Sequence, residues 1–248
     1  MTDRGVAVVT GGSRGIGAAI TRRAVQEGYA VCFAYAQDSA SAGKLLDEVE
    51  QGGGRAIAVR CDVARPEDVR SLFDQAELAL GPVTAVVNNA GTTGRIGRFQ
   101  DLDPEILRRV FDLNVHGTMY CTQEAVRRWT DGGRLGAVVN ISSIAATLGA
   151  AGEYVHYAAS KAAVEAFTVG LAKELGPAGI RVNAVSPGTI LTGIHAAGGD
   201  PGRPARVAQR IPLGRAGEPE EIASAVLWLL SGEASYVTGA VLRAGGGL

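Results

Sequence analysis

The chain has 248 residues, 46% hydrophobic and 20% charged, with a formal net charge of −1. This is the composition of an ordinary globular protein with a sizeable core. It carries neither the basic excess of a nucleic-acid binder nor an acidic tail, and no run of about 18 apolar residues offers a membrane span.

The N-terminal stretch "MTDRGVAVVT" enters a short apolar run without the long h-region and cleavage site of a signal peptide. Cys32, Cys61 and Cys121 lack metal spacing and read as buried free thiols. The expectation is a cytoplasmic, reducing setting with no metal and no membrane or nucleic-acid partner. Seven apolar runs follow in order: "VAVVT" (6–10), "AVCFAY" (30–35), "AIAVRC" (56–61), "AVVNN" (85–89), "AVVNIS" (137–142), "IRVNAV" (180–185) and "AVLRA" (240–244). Each is apolar on both faces, as parallel strands covered on both sides are. Amphipathic segments fill the gaps, the longest at 106–129 and 157–176. The segment 219–230 opens with Pro219 and two acids, which suits a first helical turn. Strand alternating with helix predicts one doubly wound α/β domain over 1–248, with a parallel sheet between two helix layers. The stretch 188–218, rich in Gly, Pro and Arg, reads as a long irregular loop of the kind that carries function.

The first run leads into "TGGSRGIG" (10–17). Glycine between a strand and a helix permits a tight turn and lets backbone amides approach a phosphate, while the helix N-terminus adds unpaired donors. Further on, "YVHYAASK" (154–161) places Tyr157 and Lys161 four apart, on one helix face. A phenol loses its proton near about pH 10, and an adjacent ammonium favours the phenolate. Such a phenol can exchange a proton with a substrate oxygen. Tyr154 lies two turns from Lys161, roughly 10 Å by helix rise, so it lines a pocket or packs there. His156 reads as packed or solvated, and Ser160 as a local helix residue.

Gly11, Gly15 and Gly17, "NNAG" (88–91), Asn114 in "LNVHG", "NISS" (140–143), Tyr157 with Lys161, and "SPGTILT" (186–192) occur in this order. Over the whole chain this resembles the short-chain dehydrogenase/reductase family. The resemblance implies a Rossmann-like sheet of about seven parallel strands and a hydride exchanged between a nicotinamide cofactor and a carbonyl or secondary alcohol. Tyr157 would be the acid/base. Lys161 would bind the nicotinamide ribose and lower the tyrosine's pKa. Ser143 would hold the substrate oxygen, although Ser142 is adjacent and both could simply finish a strand. Asn114 would hold a water of the proton relay. Gly11, Ser13, Arg14, Gly15, Ile16 and Gly17 would surround the phosphates. Asp62 and Val63 would meet the adenine, and Asn89, Ala90 and Gly91 its ribose. Pro187, Gly188, Ile190 and Thr192 would cradle the nicotinamide amide.

The second run ends "AYAQDS", where NAD-preferring folds carry an acid for the ribose hydroxyls. Asp38 lies a residue or two too far on, and Arg14 can grip a 2′-phosphate, so NADP(H) is expected over NAD(H). The loop 193–215 is expected as a substrate lid, and His195 belongs to it. Arg203, Arg206 and Arg210 would share one side of a short helix, either as a solvated face or as a site for an anionic or carrier-linked substrate. Arg127 and Arg128 raise the same carrier question. Within the family the chain resembles the 3-oxoacyl-carrier-protein reductases and the glucose 1-dehydrogenase-like members. Relatives imply a homotetramer built through the two long helices and the C-terminal segment. The alternatives are a non-catalytic dinucleotide-binding regulator on the same fold, or a dehydratase or epimerase.

Overall fold

In the computed structural model, which describes residues 4–248, the seven apolar runs pair into one sheet in the order β3-β2-β1-β4-β5-β6-β7, all parallel. Residues 1–3, the head of the stretch tested for a signal peptide, lie outside the described residues. The strands are β1 (Val6–Val9), β2 (Ala30–Tyr35), β3 (Ala56–Arg60), β4 (Val83–Asn88), β5 (Ala137–Ile141), β6 (Arg181–Pro187) and β7 (Val241–Ala244). Residues of β1 to β6 feed two cores, one on each face of the sheet, which is why those runs are largely apolar, while β7 at the edge packs on one side only. Ala7, Val9 and Phe33 pack with Ile20 of α1 (Gly15–Gln26) and Leu227 of α10 (Pro219–Leu230). On the other face Val8, Cys32 and Val86 pack with Phe73 of α3 (Pro66–Leu80) and Trp129 of α5 (Gly117–Asp131). The buried Trp129 indole donates to the Val83 carbonyl at 2.7 Å, so burying it strands no donor.

Helix ends follow local chemistry. Asp38 caps α2 (Ser39–Gln51) by accepting from the Ser41 amide at 2.9 Å. Pro66 and Pro219 open α3 and α10, and Glu218 with Glu221 forms a capping box on α10. Two expectations need correction. The segment 106–129 is not one helix: α4 (Pro104–Phe111) and α5 are joined by a π-helical turn, Asp112–His116. That turn adds a residue to the helical repeat and carries Asn114 inward. The stretch 188–218 is also more ordered than its composition suggests. It holds α8 (Ile194–Ala197) and α9 (Arg203–Ala208), and it is tied down where Ile190 bridges Gly217. Two further helices, α6 (Ala145–Leu148) and α7 (Val155–Leu175), complete the fold. No described helix is long and apolar enough to cross a membrane.

Strand order reverses between β1 and β4, whose chains leave the sheet in opposite directions. The crevice between their C-terminal ends is where open α/β sheets take ligands.

Candidate active site

The glycine loop fills that crevice. Gly15 has φ +52, the left-handed region open to glycine, as the turn into α1 requires. A Cβ on Gly17 would overlap the Gly11 carbonyl oxygen and stand 2.5 Å from the Asn89 amide nitrogen. The loop is knitted to the end of β4: Asn89 Nδ2 donates to the Thr10 and Gly11 carbonyls at 2.9 Å each. The Thr10 hydroxyl accepts from the Asn89 and Ala90 amides at 3.0 Å. No side chain caps α1, so its first-turn amides remain available to an anion. Ser13 and Arg14 border this cradle, and Ile16 lines the adjoining cavity. Across it, Thr192 lies within van der Waals reach of Gly15, its Cγ2 3.2 Å from where a Cβ would stand. The chain reaches Thr192 through Pro187, whose carbonyl accepts from the Ile144 amide at 3.0 Å. It then passes Gly188, packed on Gly245, and buried Ile190.

Just past β3, Asp62 Oδ1 accepts from the Ala64 amide at 3.1 Å and Oδ2 pairs with Arg109 at 3.1 Å. The Val63 side chain is buried against Gly117. Asp38 spends its carboxylate on Ser41, with Oδ2 accepting from the hydroxyl at 2.7 Å. Those hydrogen bonds, with Arg14 adding to them, hold its carboxyl below the usual range. Arg60, which the sequence reading passed over, ends β3 and donates to the Ala36 carbonyl at 3.3 Å. A second guanidinium therefore stands beside the tip of β2.

The catalytic candidates converge on one cavity lined by Ser143, Tyr157, Lys161 and Gly91. The two serines part company. Ser142 is buried and donates to Glu165 at 2.7 Å, whereas the Ser143 hydroxyl stands beside the Tyr157 phenol. The residues between Ser143 and Tyr157 form α6 and a turn in which Ala150 takes φ 49. Lys161 is buried and donates to the Ile141 carbonyl at 2.7 Å. Asn114 lies behind the wall. Its Nδ2 donates to the Thr92 carbonyl at 2.9 Å and to the Ser160 hydroxyl at 3.0 Å, and its Oδ1 accepts from the Thr92 amide at 2.8 Å. Ser160 is thus more than a local helix residue: it fastens the π-turn to α7. Asn114 and Lys161 both crowd Gly91, where a Cβ would lie 3.2 Å from Asn114 Oδ1 and 3.4 Å from Lys161 Nζ.

Burial pushes the Tyr157 phenol up to about 12, against the pull of Ser143, and pushes the Lys161 ammonium down to about 8. The lowering expected from Lys161 is therefore not produced by the protein groups alone. The ammonium is turned to the Ile141 carbonyl, 5.8 Å from the centre of the tyrosine ring, and desolvation dominates.

Tyr154 both lines the cavity and packs, its ring edge-on to Tyr157 with centroids 5.3 Å apart. His156 is packed, with Nε2 on the Thr93 carbonyl at 2.9 Å. His195 is buried on α8, with Nε2 on the Ile190 carbonyl at 3.2 Å. The three arginines of the expected lid divide two to one. Arg203, turned inward to Glu153, and Arg210, with no ion pair among the described residues, both line the cavity, whereas Arg206 pairs with Asp200. Arg128 is held by Asp74, Glu77 and Glu124, a brace between α3 and α5. Sequence reasoning also missed Glu153 and Leu248, which line the cavity from distant parts of the chain. No local pattern marks either one.

Comparison with known proteins points the same way. The family model described as "Enoyl-(Acyl carrier protein) reductase" matches residues 11–248. The chain is 45% identical over 244 residues to the uncharacterized oxidoreductase YgfF of Escherichia coli, covering 98% of this chain and 99% of that protein. It is 39% identical to the L-rhamnose 1-dehydrogenase (NAD(P)(+)) of Sphingomonas sp., covering 97% and 94%. Among solved structures, the blue fluorescent protein from a metagenomic library in complex with NADPH superposes with a TM-score of 0.89 at 36% identity, covering 99% and 98%.

Proposed function

The chain belongs to the short-chain dehydrogenase/reductase family, and from that premise we propose that it is an NADP(H)-dependent oxidoreductase of carbonyl or secondary alcohol groups, with Tyr157 as its acid/base. The observation that carries this reading is the meeting of Ser143, Tyr157 and Lys161 in one cavity that adjoins the glycine loop at Ile16. The residues present fit a dinucleotide. The α1 N-terminus, which Arg14 leaves without a side-chain cap, and the adjoining cleft between Gly91 and Thr192 are the parts of such a cradle, and the close packing of Gly17 on Gly11 holds the loop in shape. Gly11 to Gly17 would hold the phosphates, Asp62 and Val63 the adenine, Asn89 to Gly91 its ribose, Lys161 the nicotinamide ribose, and Pro187 to Thr192 the amide. The bound nicotinamide supplies or accepts the hydride.

The protein's own part is positional and protonic. The Ser143 hydroxyl donates to the substrate oxygen and stabilises charge developing there. The Tyr157 phenol, protonated at neutral pH, delivers its proton to the same oxygen in reduction and removes it in oxidation. Asn114 braces Thr92 and Ser160 around Lys161 and keeps one Oδ1 lone pair to hold a relay water. NADP(H) is preferred over NAD(H) in this reading because Arg14 and Arg60 flank the end of β2 while Asp38 is spent on its cap. Within the same proposal, 188–218 is the substrate lid of a single catalytic domain. The enzyme works in the cytoplasm as a homotetramer, for which Trp228 of α10 and Val169 of α7 offer exposed apolar surface.

The test pairs wild type with Tyr157→Phe against NADPH, NADH and a panel of acetoacetyl thioesters, diketones, aromatic aldehydes and sugars. The expected result is tight NADPH binding by both proteins. Turnover of a panel carbonyl should be confined to wild type, a loss of about 10²-fold or more. Undiminished turnover by the variant would sink the assignment.

A further inference from the structure

Arg203 is an arginine at the start of a lid helix, yet its side chain is only 12% exposed. Its Nε and Nη2 donate to one oxygen of Glu153, Oε2, at 3.0 and 2.8 Å. The guanidinium carbon lies 5.0 Å from the centre of the Tyr154 ring. Tyr154 in turn meets Tyr157 edge-on, with an interplanar angle of 88°. Lid, wall and candidate acid/base therefore form one line of contact: Glu153, Arg203, Tyr154, Tyr157. A single loop grips both sides of it. The Ile96 amide donates to the Gly198 carbonyl at 2.9 Å, and the Gly97 amide to the Glu153 carbonyl at 2.7 Å. A partly buried ion pair adds little net stability once desolvation is counted. What it does supply is direction, because a guanidinium fork bonded at two points is a flat, oriented plate.

We propose that Arg203 is a positioning residue for the reaction: reaching down from the lid, it clamps Tyr154 against Tyr157, fixes the phenol for proton transfer and closes the wall of the substrate chamber, with Glu153 as its counter-ion. This rests on the reading of Tyr157 as acid/base. A displacement of about 1 Å at a reacting group can cost about a hundredfold in rate. A loosened clamp should therefore appear in kcat. The groups facing the phenol are Ser143 after β5, Tyr154 and Lys161 on or beside α7, and Arg203 from the lid, whose charge favours the phenolate.

The experiment compares wild type, Arg203→Gln, Arg203→Lys and Glu153→Gln as full-length chains with NADPH bound. Tyrosine ring signals are read by NMR at neutral pH, and kcat and KM are measured on the panel carbonyl that wild type reduces fastest. In Arg203→Gln the Tyr157 ring signals should shift and the Tyr154–Tyr157 ring cross-peak weaken. The value of kcat should fall about tenfold or more while the NADPH Kd stays within about twofold. Arg203→Lys should keep the ion pair, lose the flat stack and fall less; Glu153→Gln should loosen the clamp from its other end. Ring signals unchanged in Arg203→Gln and Arg203→Lys, or a rise in KM alone, would overturn the proposal. If the rings move but Tyr157→Phe keeps its turnover, the clamp stands and the acid/base assignment falls.

Discussion

The hydroxyls of Ser142 and Ser143 leave adjacent residues just past β5, yet one is bonded to Glu165 and the other stands beside Tyr157. Their alanine variants should separate cleanly. Ser143→Ala should lose about 10²–10³ in kcat/KM, because it removes a donor to developing charge, and should cost only about 0.5–1 kcal/mol of stability for its bond from the Ala145 amide. Ser142→Ala breaks a partly buried bond to a carboxylate and should cost about 1–2 kcal/mol of stability in a denaturant titration, while kcat stays within a few-fold. Arg14 offers α1 no side-chain cap, and its charge acts on Asp38 just past β2. Arg14→Ala should therefore weaken NADPH about tenfold or more and leave NADH nearly unchanged by calorimetry.

At the scale of elements, the π-turn between α4 and α5 is the feature on which the site depends. It brings Asn114 to Thr92 and Ser160, and so joins the end of β4 to α7. Asn114→Ala would leave the Thr92 amide and carbonyl without partners inside the protein, at about 1–3 kcal/mol each. The expected outcome is a lower melting temperature together with a fall in kcat. The "LNVHG" stretch pointed to Asn114, but the turn itself was not legible. Its helical periodicity runs straight through, and the groups that hold the asparagine side chain, the Thr92 backbone and the Ser160 hydroxyl, lie 22 and 46 residues away.

For the whole molecule, three buried thiols sit in the core on one face of the sheet. Burial pushes Cys32 and Cys61 up to about 12 from an ordinary 9.0, and Cys121 well up too. The folded state holds these protons where the unfolded chain has released them. Their contribution is thus complete below about pH 9 and lost as pH rises towards about 12. Lys161 has the opposite sign: with its value lowered to about 8, keeping it charged costs stability below that pH, and the cost is relieved above it. Melting temperature should fall steeply through the alkaline window. Cys32→Ala, although less stable at neutral pH because of the cavity it leaves, should show a shallower slope.

The residue order by itself determined the seven strands, their parallel pairing and the place of the glycine loop. Strands covered on both faces must be apolar throughout, and a tight turn into a helix leaves few choices but glycine. Tyr157 and Lys161 were legible for a similar reason, since a spacing of four is a helix face. Only the tertiary structure decided which serine stands beside the Tyr157 phenol, that Asp38 is spent on a cap, that Arg60 joins Arg14, and that Arg203 turns inward to Glu153 while Arg206 pairs with Asp200. Those outcomes depend on partners up to 50 residues away. A side chain's direction there is set by burial and hydrogen bonding across elements, which no local spacing encodes.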